Sequence, residues 1–111
     1  MTDGRVTVLA RVRARAGKEA EVQRLLLALV APSRAEAGCL NYDLHQSTAD
    51  PTEFMFYENW TSRAALDAHA AMPHLDEFDA LSEGLLAAPV EITFWQMISA
   101  TSTEKATNDD G

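Results

Sequence analysis

The sequence predicts an α+β fold of the ferredoxin-like kind, in which a split β-α-β arrangement builds an antiparallel four-stranded sheet with helices on one face. Three observations support this prediction. Four stretches, at 5–13, 39–47, 54–60 and 90–99, alternate apolar and polar residues as half-buried strands do. The segments between them space their apolar residues three and four apart, which is typical of helices packed on a surface. In chain order the segments read β-α-β-β-α(α)-β.

Length and composition indicate one domain. The 111 residues, 47% of them hydrophobic, can form one core, which we place in residues 1–100, with a polar tail at 101–111 that we expect to be disordered. No apolar run approaches the roughly 18 residues that span a membrane, and the N-terminus carries charges where a signal peptide is apolar. We therefore expect a soluble, cytoplasmic protein with no membrane partner. The net charge of −8 argues against nucleic acid as a partner, and the single cysteine excludes an internal disulfide.

The first half of the chain predicts a strand followed by an interrupted helix. One strand face carries Val6, Val8, Ala10 and Val12, and the helix stripe carries Val22, Leu25, Leu26 and Leu29. Pro32 has no amide hydrogen for the carbonyl of Ala28, so the helix should kink or loosen there. Gly38 is expected to end it in a left-handed conformation.

The second half predicts a hairpin, two short helices and a last strand. Ser62 is a suitable N-cap for the third helical segment, and the Met72–Pro73 step should break that segment from the next. The residues expected to face inward are Leu40, Tyr42, Leu44, Leu66, His69, Leu75, Phe78, Leu81, Leu85, Val90, Ile92, Phe94 and Ile98. The opposite sheet face holds Leu9, Tyr57, Trp95 and Met97, a patch too apolar to remain in water, so we predict a homodimer packed sheet to sheet.

Residues 38–78 resemble the antibiotic biosynthesis monooxygenase family, and the similarity extends over about residues 5–99. The most diagnostic features are Gly38-Cys39-Leu40 with Tyr42, the Glu58-x-Trp60 pair, and the steps Ala68-His69 and Pro73-His74. The resemblance implies a dimeric α/β-barrel protein and a cofactor-free monooxygenase that uses dioxygen to oxidise a small aromatic compound such as a quinol or an anthrone. Such an enzyme must turn its substrate into an electron-rich anion, which needs a base and a dry pocket.

Three residues are candidates for that chemistry. His69, which matches the family's histidine, is our candidate base, and the alternative is a hydrogen-bonded core histidine. Glu58 shares a strand face with Trp60, and it either pairs with an arginine or backbone donors or lies in the pocket with a raised pKa and accepts a proton. Trp60 either stacks on the substrate and donates its indole hydrogen or fills the core.

Five further residues are candidates for substrate binding: Tyr42, Asn59, His74, Phe78 and Leu66. Tyr42 should face the helices, as core or as a donor to substrate. His74 should border the pocket entrance or cap its helix. Asn59 should point to the other sheet face, where its amide satisfies backbone groups or binds a ligand. His69 and His74 are five apart across a helix break rather than at HExxH spacing, so we expect no metal site and no cofactor.

Two other functions remain for this fold. Haem-degrading relatives carry an asparagine where this chain has Ala10 and a histidine where it has Ala70, which argues against haem breakdown. A non-catalytic or isomerising dimer that binds a small molecule in the same cleft is the remaining alternative.

Overall fold

The computed structural model describes residues 4–100, so the expected tail at 101–111 lies outside the described residues. Its elements, in chain order, are β1 (Val6–Arg13), α1 (Glu19–Leu27), α2 (Val30–Arg34), β2 (Cys39–Gln46), β3 (Glu53–Trp60), α3 (Arg63–Ala70), α4 (Pro73–Leu81) and β4 (Glu91–Trp95). The strands form one sheet in the order β2-β3-β1-β4, and each neighbouring pair is antiparallel. The predicted α+β, ferredoxin-like fold class is confirmed. Within residues 4–100, none of the helices has the length and apolar character to cross a membrane.

The core lies between one sheet face and the helices. The inward residues of β1, among them Val8 and Val12, pack with Val22 and Leu26 of α1, and all four are at most 3% exposed. Burying an aliphatic side chain of this size stabilises the fold by about 1.5–3 kcal/mol. The apolar stripe of α1 therefore holds the helical layer on the sheet.

The first helix is interrupted where proline predicts it. α1 ends at Leu27 and α2 begins at Val30, and Pro32, inside α2, cannot donate to the carbonyl of Ala28. The left-handed stop expected at Gly38 is wrong, because among the glycines of residues 4–100 only Gly4, Gly17 and Gly84 have positive φ. Gly38 serves close packing instead, since a Cβ placed there would lie 2.2 Å from the Cβ of Ala65.

Three inward assignments are also wrong. The register of β2 shifts between Cys39 and Asn41, which leaves Leu40 49% exposed while Cys39 packs against the core. Leu81 is 54% exposed at the end of α4, and Ile98 is 95% exposed because β4 ends at Trp95. In each of these three cases the regular element ends or slips before the periodic pattern does. Ile92 and Phe94 do lie on the predicted face, opposite Ala10 and Val8, but at the edge strand β4 they remain 54% and 53% exposed.

Candidate active site

A largely apolar cavity of about 240 Å³ lies between the sheet and the helices. Its walls come from β1, β2, β3, α3, α4 and the start of β4, and from the first helix and its break. The polar residues that line it are Tyr42, Glu58, His69 and Asp79. A concave, mostly apolar space with a few polar groups is the usual form of a small-molecule site.

Glu58 is a buried carboxyl in the wall of this cavity. It lies on the inward face of β3 and is 3% exposed, and its Oε1 accepts a hydrogen bond of 2.9 Å from the indole Nε1 of Trp60. Burial raises the pKa of Glu58 to about 7; the Trp60 hydrogen bond opposes that rise and the charge of Glu36 adds to it. Near neutral pH the carboxyl therefore exists in both its acid and its ionised form. The sequence left two environments open for Glu58. The structure places it in the pocket, where its pKa is raised.

His69 is held in a defined orientation by Glu36. The ring lies in the last turn of α3, and its Nδ1 is 2.8 Å from Oε2 of Glu36, which follows α2. An ionised carboxylate only accepts hydrogen bonds, so Nδ1 of His69 carries the hydrogen and donates it. In the neutral ring, Nε2 is then left free to accept a proton. The ring also packs against Trp60, with centroids 4.4 Å apart.

His74 donates to the same carboxylate oxygen. Its Nε2 is 2.9 Å from Oε2 of Glu36, and its ring centroid is 6.0 Å from that of His69. The break between α3 and α4 makes this possible, because Met72 is extended and Pro73 starts a new helix that places His74 in its first turn. Sequence reasoning missed Glu36. The signal available was indirect: a buried histidine needs a partner, and Glu36 is an acidic residue in the short segment that returns the chain to the sheet.

The other predicted residues divide between the two faces of the sheet. Tyr42, Leu66 and Phe78 line the cavity, and Tyr42 stacks on Phe56 with centroids 4.3 Å apart. Asn59 lies on the opposite face, where it hydrogen-bonds to Thr7 and Asn41. His74 is half-buried beside Glu36 and is not among the residues that line the cavity.

Trp60 does not line the cavity either. It is fully buried, and its indole hydrogen is engaged by Glu58, so this structure gives no support to the predicted stacking of Trp60 on a substrate. Its hydrogen bond instead orients the Glu58 carboxyl and partly offsets the rise in the pKa of Glu58 that burial causes.

Comparison with known proteins identifies relatives over most of the chain. The family described as "Antibiotic biosynthesis monooxygenase" matches residues 5–81. The Mycobacterium tuberculosis protein named "Putative monooxygenase Rv0793" is 41% identical over 88 residues, which is 79% of this chain and 86% of that protein. A Synechocystis protein named "Uncharacterized protein sll1783" is 35% identical over 101 residues, covering 91% of this chain and 68% of that one.

Solved structures agree with these similarities. The crystal structure of PA3566 from Pseudomonas aeruginosa superposes with a TM-score of 0.83 and 39% identity, over 89% of this chain and 99% of that chain. The structure of Rv0793 gives a TM-score of 0.81 and 36% identity, over 88% and 99%.

Proposed function

Because the chain belongs to the antibiotic biosynthesis monooxygenase family, we propose that it is a cofactor-independent monooxygenase that oxidises a small aromatic compound, of the quinol or anthrone kind, with molecular oxygen. One observation carries the proposal. His69, oriented by the buried carboxylate of Glu36, borders an apolar cavity that is also lined by Glu58, whose pKa is about 7. A base with a free acceptor nitrogen beside an apolar cavity is suited to proton abstraction from a weakly acidic substrate.

The first step is removal of a proton from the substrate. Nε2 of His69 takes it, and Glu36 stabilises the resulting imidazolium through the 2.8 Å contact at Nδ1. Burial raises the pKa of Tyr42, so its hydroxyl stays protonated and donates to the substrate oxygen. Glu58 in its acid form is a second donor. These groups convert a neutral hydroquinone into its anion inside the cavity.

The second step is reaction of the anion with dioxygen. One electron passes from the anion to dioxygen, and the semiquinone and superoxide radicals combine to form a carbon–oxygen bond. The proton held by His69 returns to the terminal oxygen, and the hydroperoxide loses water. Hydroquinone plus dioxygen thus gives hydroxyquinone plus water. The substrate supplies all four electrons that dioxygen accepts, so the reaction needs no external reductant.

The cavity volume supports a small substrate. An engineered apolar cavity of about 150 Å³ binds benzene. The 240 Å³ here leaves room for substituents or a second ring on such a core. Leu66 of α3 and Phe78 of α4 supply apolar wall to this cavity.

Oxygen uptake tests this function. Chelator-treated, flavin-free protein is given a panel of hydroquinones and anthrones under ¹⁸O₂, and the product is analysed for one ¹⁸O atom. We expect protein-dependent uptake that falls by roughly a hundredfold or more in His69→Ala, since general-base catalysis contributes about 10²–10⁴-fold. Trp60→Phe should lower the rate less, because Trp60 acts through Glu58.

His45→Ala is the matched control, since His45 is exposed on the opposite face of the sheet. Equal uptake in His69→Ala and the unaltered protein would contradict the role of His69. Binding of hydroquinones without any protein-dependent uptake would favour the alternative, a binding or isomerising dimer.

A further inference from the structure

The side chains of Glu36, His69 and His74 form a cluster that could also bind a metal ion. We propose that these three side chains form a binding site for a divalent transition metal ion of the zinc class. The inference does not rest on the proposed oxygenation, because it follows from the donor atoms and their positions alone.

The donor set suits such an ion. Two imidazole nitrogens and one carboxylate oxygen are a ligand combination that Zn²⁺ and Co²⁺ accept, with the fourth position left for water or another ligand. The two imidazoles offer different nitrogens, Nδ1 from His69 and Nε2 from His74, and both point at one carboxylate oxygen. Convergence on a common point is the geometric requirement for chelation.

The distances are close to those of a metal centre. The three ligand atoms lie within 4.8 Å of one another, and the two nitrogens are 2.8 and 2.9 Å from Oε2 of Glu36. Ligands bonded to one zinc ion at about 2.0–2.1 Å in a tetrahedron lie roughly 3.4 Å apart. Small movements of the side chains would therefore admit the ion. His74 can make them, because it lies in the first turn of α4 and its side chain is 20% exposed.

The burial of the cluster and the negative charge of the chain both favour binding of a cation. The side chains of Glu36 and His69 are each 7% exposed, whereas that of His74 is 20% exposed and lies at the outer side of the cluster. A partly shielded carboxylate attracts a cation more strongly than one in water. The net charge of −8 on the chain adds a long-range attraction of the same sign.

Metal binding would interfere with proton abstraction. An ion on Nδ1 of His69 leaves the ring hydrogen on Nε2, which then cannot accept a proton from a substrate. The metal-bound and proton-accepting forms of His69 therefore exclude each other.

Cobalt titration tests the site directly. Full-length protein without a histidine tag is stripped with a chelator and titrated with Co²⁺, and the visible absorption of the bound ion is followed, with Zn²⁺ added afterwards as a competitor. We expect one Co²⁺ per chain, displaced by Zn²⁺. Glu36→Gln and His74→Ala should each weaken binding by roughly a hundredfold or more, because the first removes the charged ligand and the second removes an imidazole. Changes to residues that only hydrogen-bond to a metal ligand already cost about 10–100-fold.

His45→Ala again serves as control and should bind Co²⁺ as the unaltered protein does, since His45 is not part of the cluster. His74→Ala is the decisive variant because its half-buried position makes it the change least disruptive to folding, and circular dichroism verifies the fold of each variant. The proposal is overturned if the unaltered protein gives no absorption, or if His74→Ala and Glu36→Gln bind as tightly as it does. These readouts do not involve oxygen uptake, so failure of the site and failure of the proposed function are distinguishable.

Discussion

At the scale of single residues, Glu58 couples stability to pH. Its pKa is about 7 in the folded protein and near 4.5 as an ordinary carboxyl, so the folded state holds the proton more tightly than the unfolded chain. Below about pH 4.5 the carboxyl is protonated in both states, so its ionisation does not affect the free energy of unfolding. As pH rises towards 7 the unfolded chain ionises first, which favours unfolding, and the penalty is complete above 7.

Glu58→Gln should remove this penalty. An amide keeps an oxygen for the Trp60 indole and cannot ionise, so the variant should gain stability relative to the unaltered protein as pH rises from about 4.5 to about 7, by of order 3 kcal/mol in total. Urea unfolding at a series of pH values, at fixed protein concentration, measures the difference. Glu77→Gln, at an exposed position in α4, provides the control. A constant stability difference across this range would show that burial does not shift the Glu58 pKa as described.

At the scale of elements, Gly38 sets how closely the segment before β2 approaches α3. A Cβ at Gly38 would lie 2.2 Å from that of Ala65 and 3.0 Å from Oγ1 of Thr61, so Gly38→Ala must push the two elements apart. We expect a loss of about 1–3 kcal/mol in the free energy of unfolding. Because Glu36 is two residues away, the change should also weaken its contact with His69.

A second substitution separates this clash from other effects. Ala65→Gly removes the opposing Cβ, and it should recover part of the loss in the Gly38→Ala background although glycine alone costs about 1 kcal/mol in a helix. Ala64→Gly, at an exposed neighbour in the same helix, should recover nothing. Equal effects of the two glycines on Gly38→Ala, in urea unfolding, would refute the contact.

Side-chain directions could be predicted from the sequence within regular strands and helices, but not where the backbone is irregular. Period-two alternation placed Glu58 and Trp60 on one inward face, and helical spacing placed His69 opposite them, because both patterns repeat along regular backbone. Leu40 was misplaced because one irregular residue at the start of β2 reverses the faces. Glu36 was missed because it lies between α2 and β2, where no period indicates the direction of a side chain.

At the scale of the whole molecule, the open face of the sheet is the main unsatisfied surface. Leu9 and Tyr57 face each other across β1 and β3, and Trp95 lies opposite Thr7 on β4. Tyr57 is 37% exposed, Trp95 57% and the nearby Met97 42%, all within one chain. The helices cover only the other face. We infer that a second copy packs on this surface, as the sequence predicts.

Tyr57→Glu should therefore change the mass of the protein in solution. A carboxylate in the centre of a sheet-to-sheet interface would be buried without a partner, a cost that an interface of standard size does not tolerate. Sedimentation equilibrium should give twice the 12.1 kDa chain mass for the unaltered protein and a shift towards the single chain for the variant. Leu27→Glu is the matched control, because Leu27 is 52% exposed on α1, away from the open face. A single-chain mass for the unaltered protein would contradict the dimer, and a two-chain mass for Tyr57→Glu would place the partner surface elsewhere.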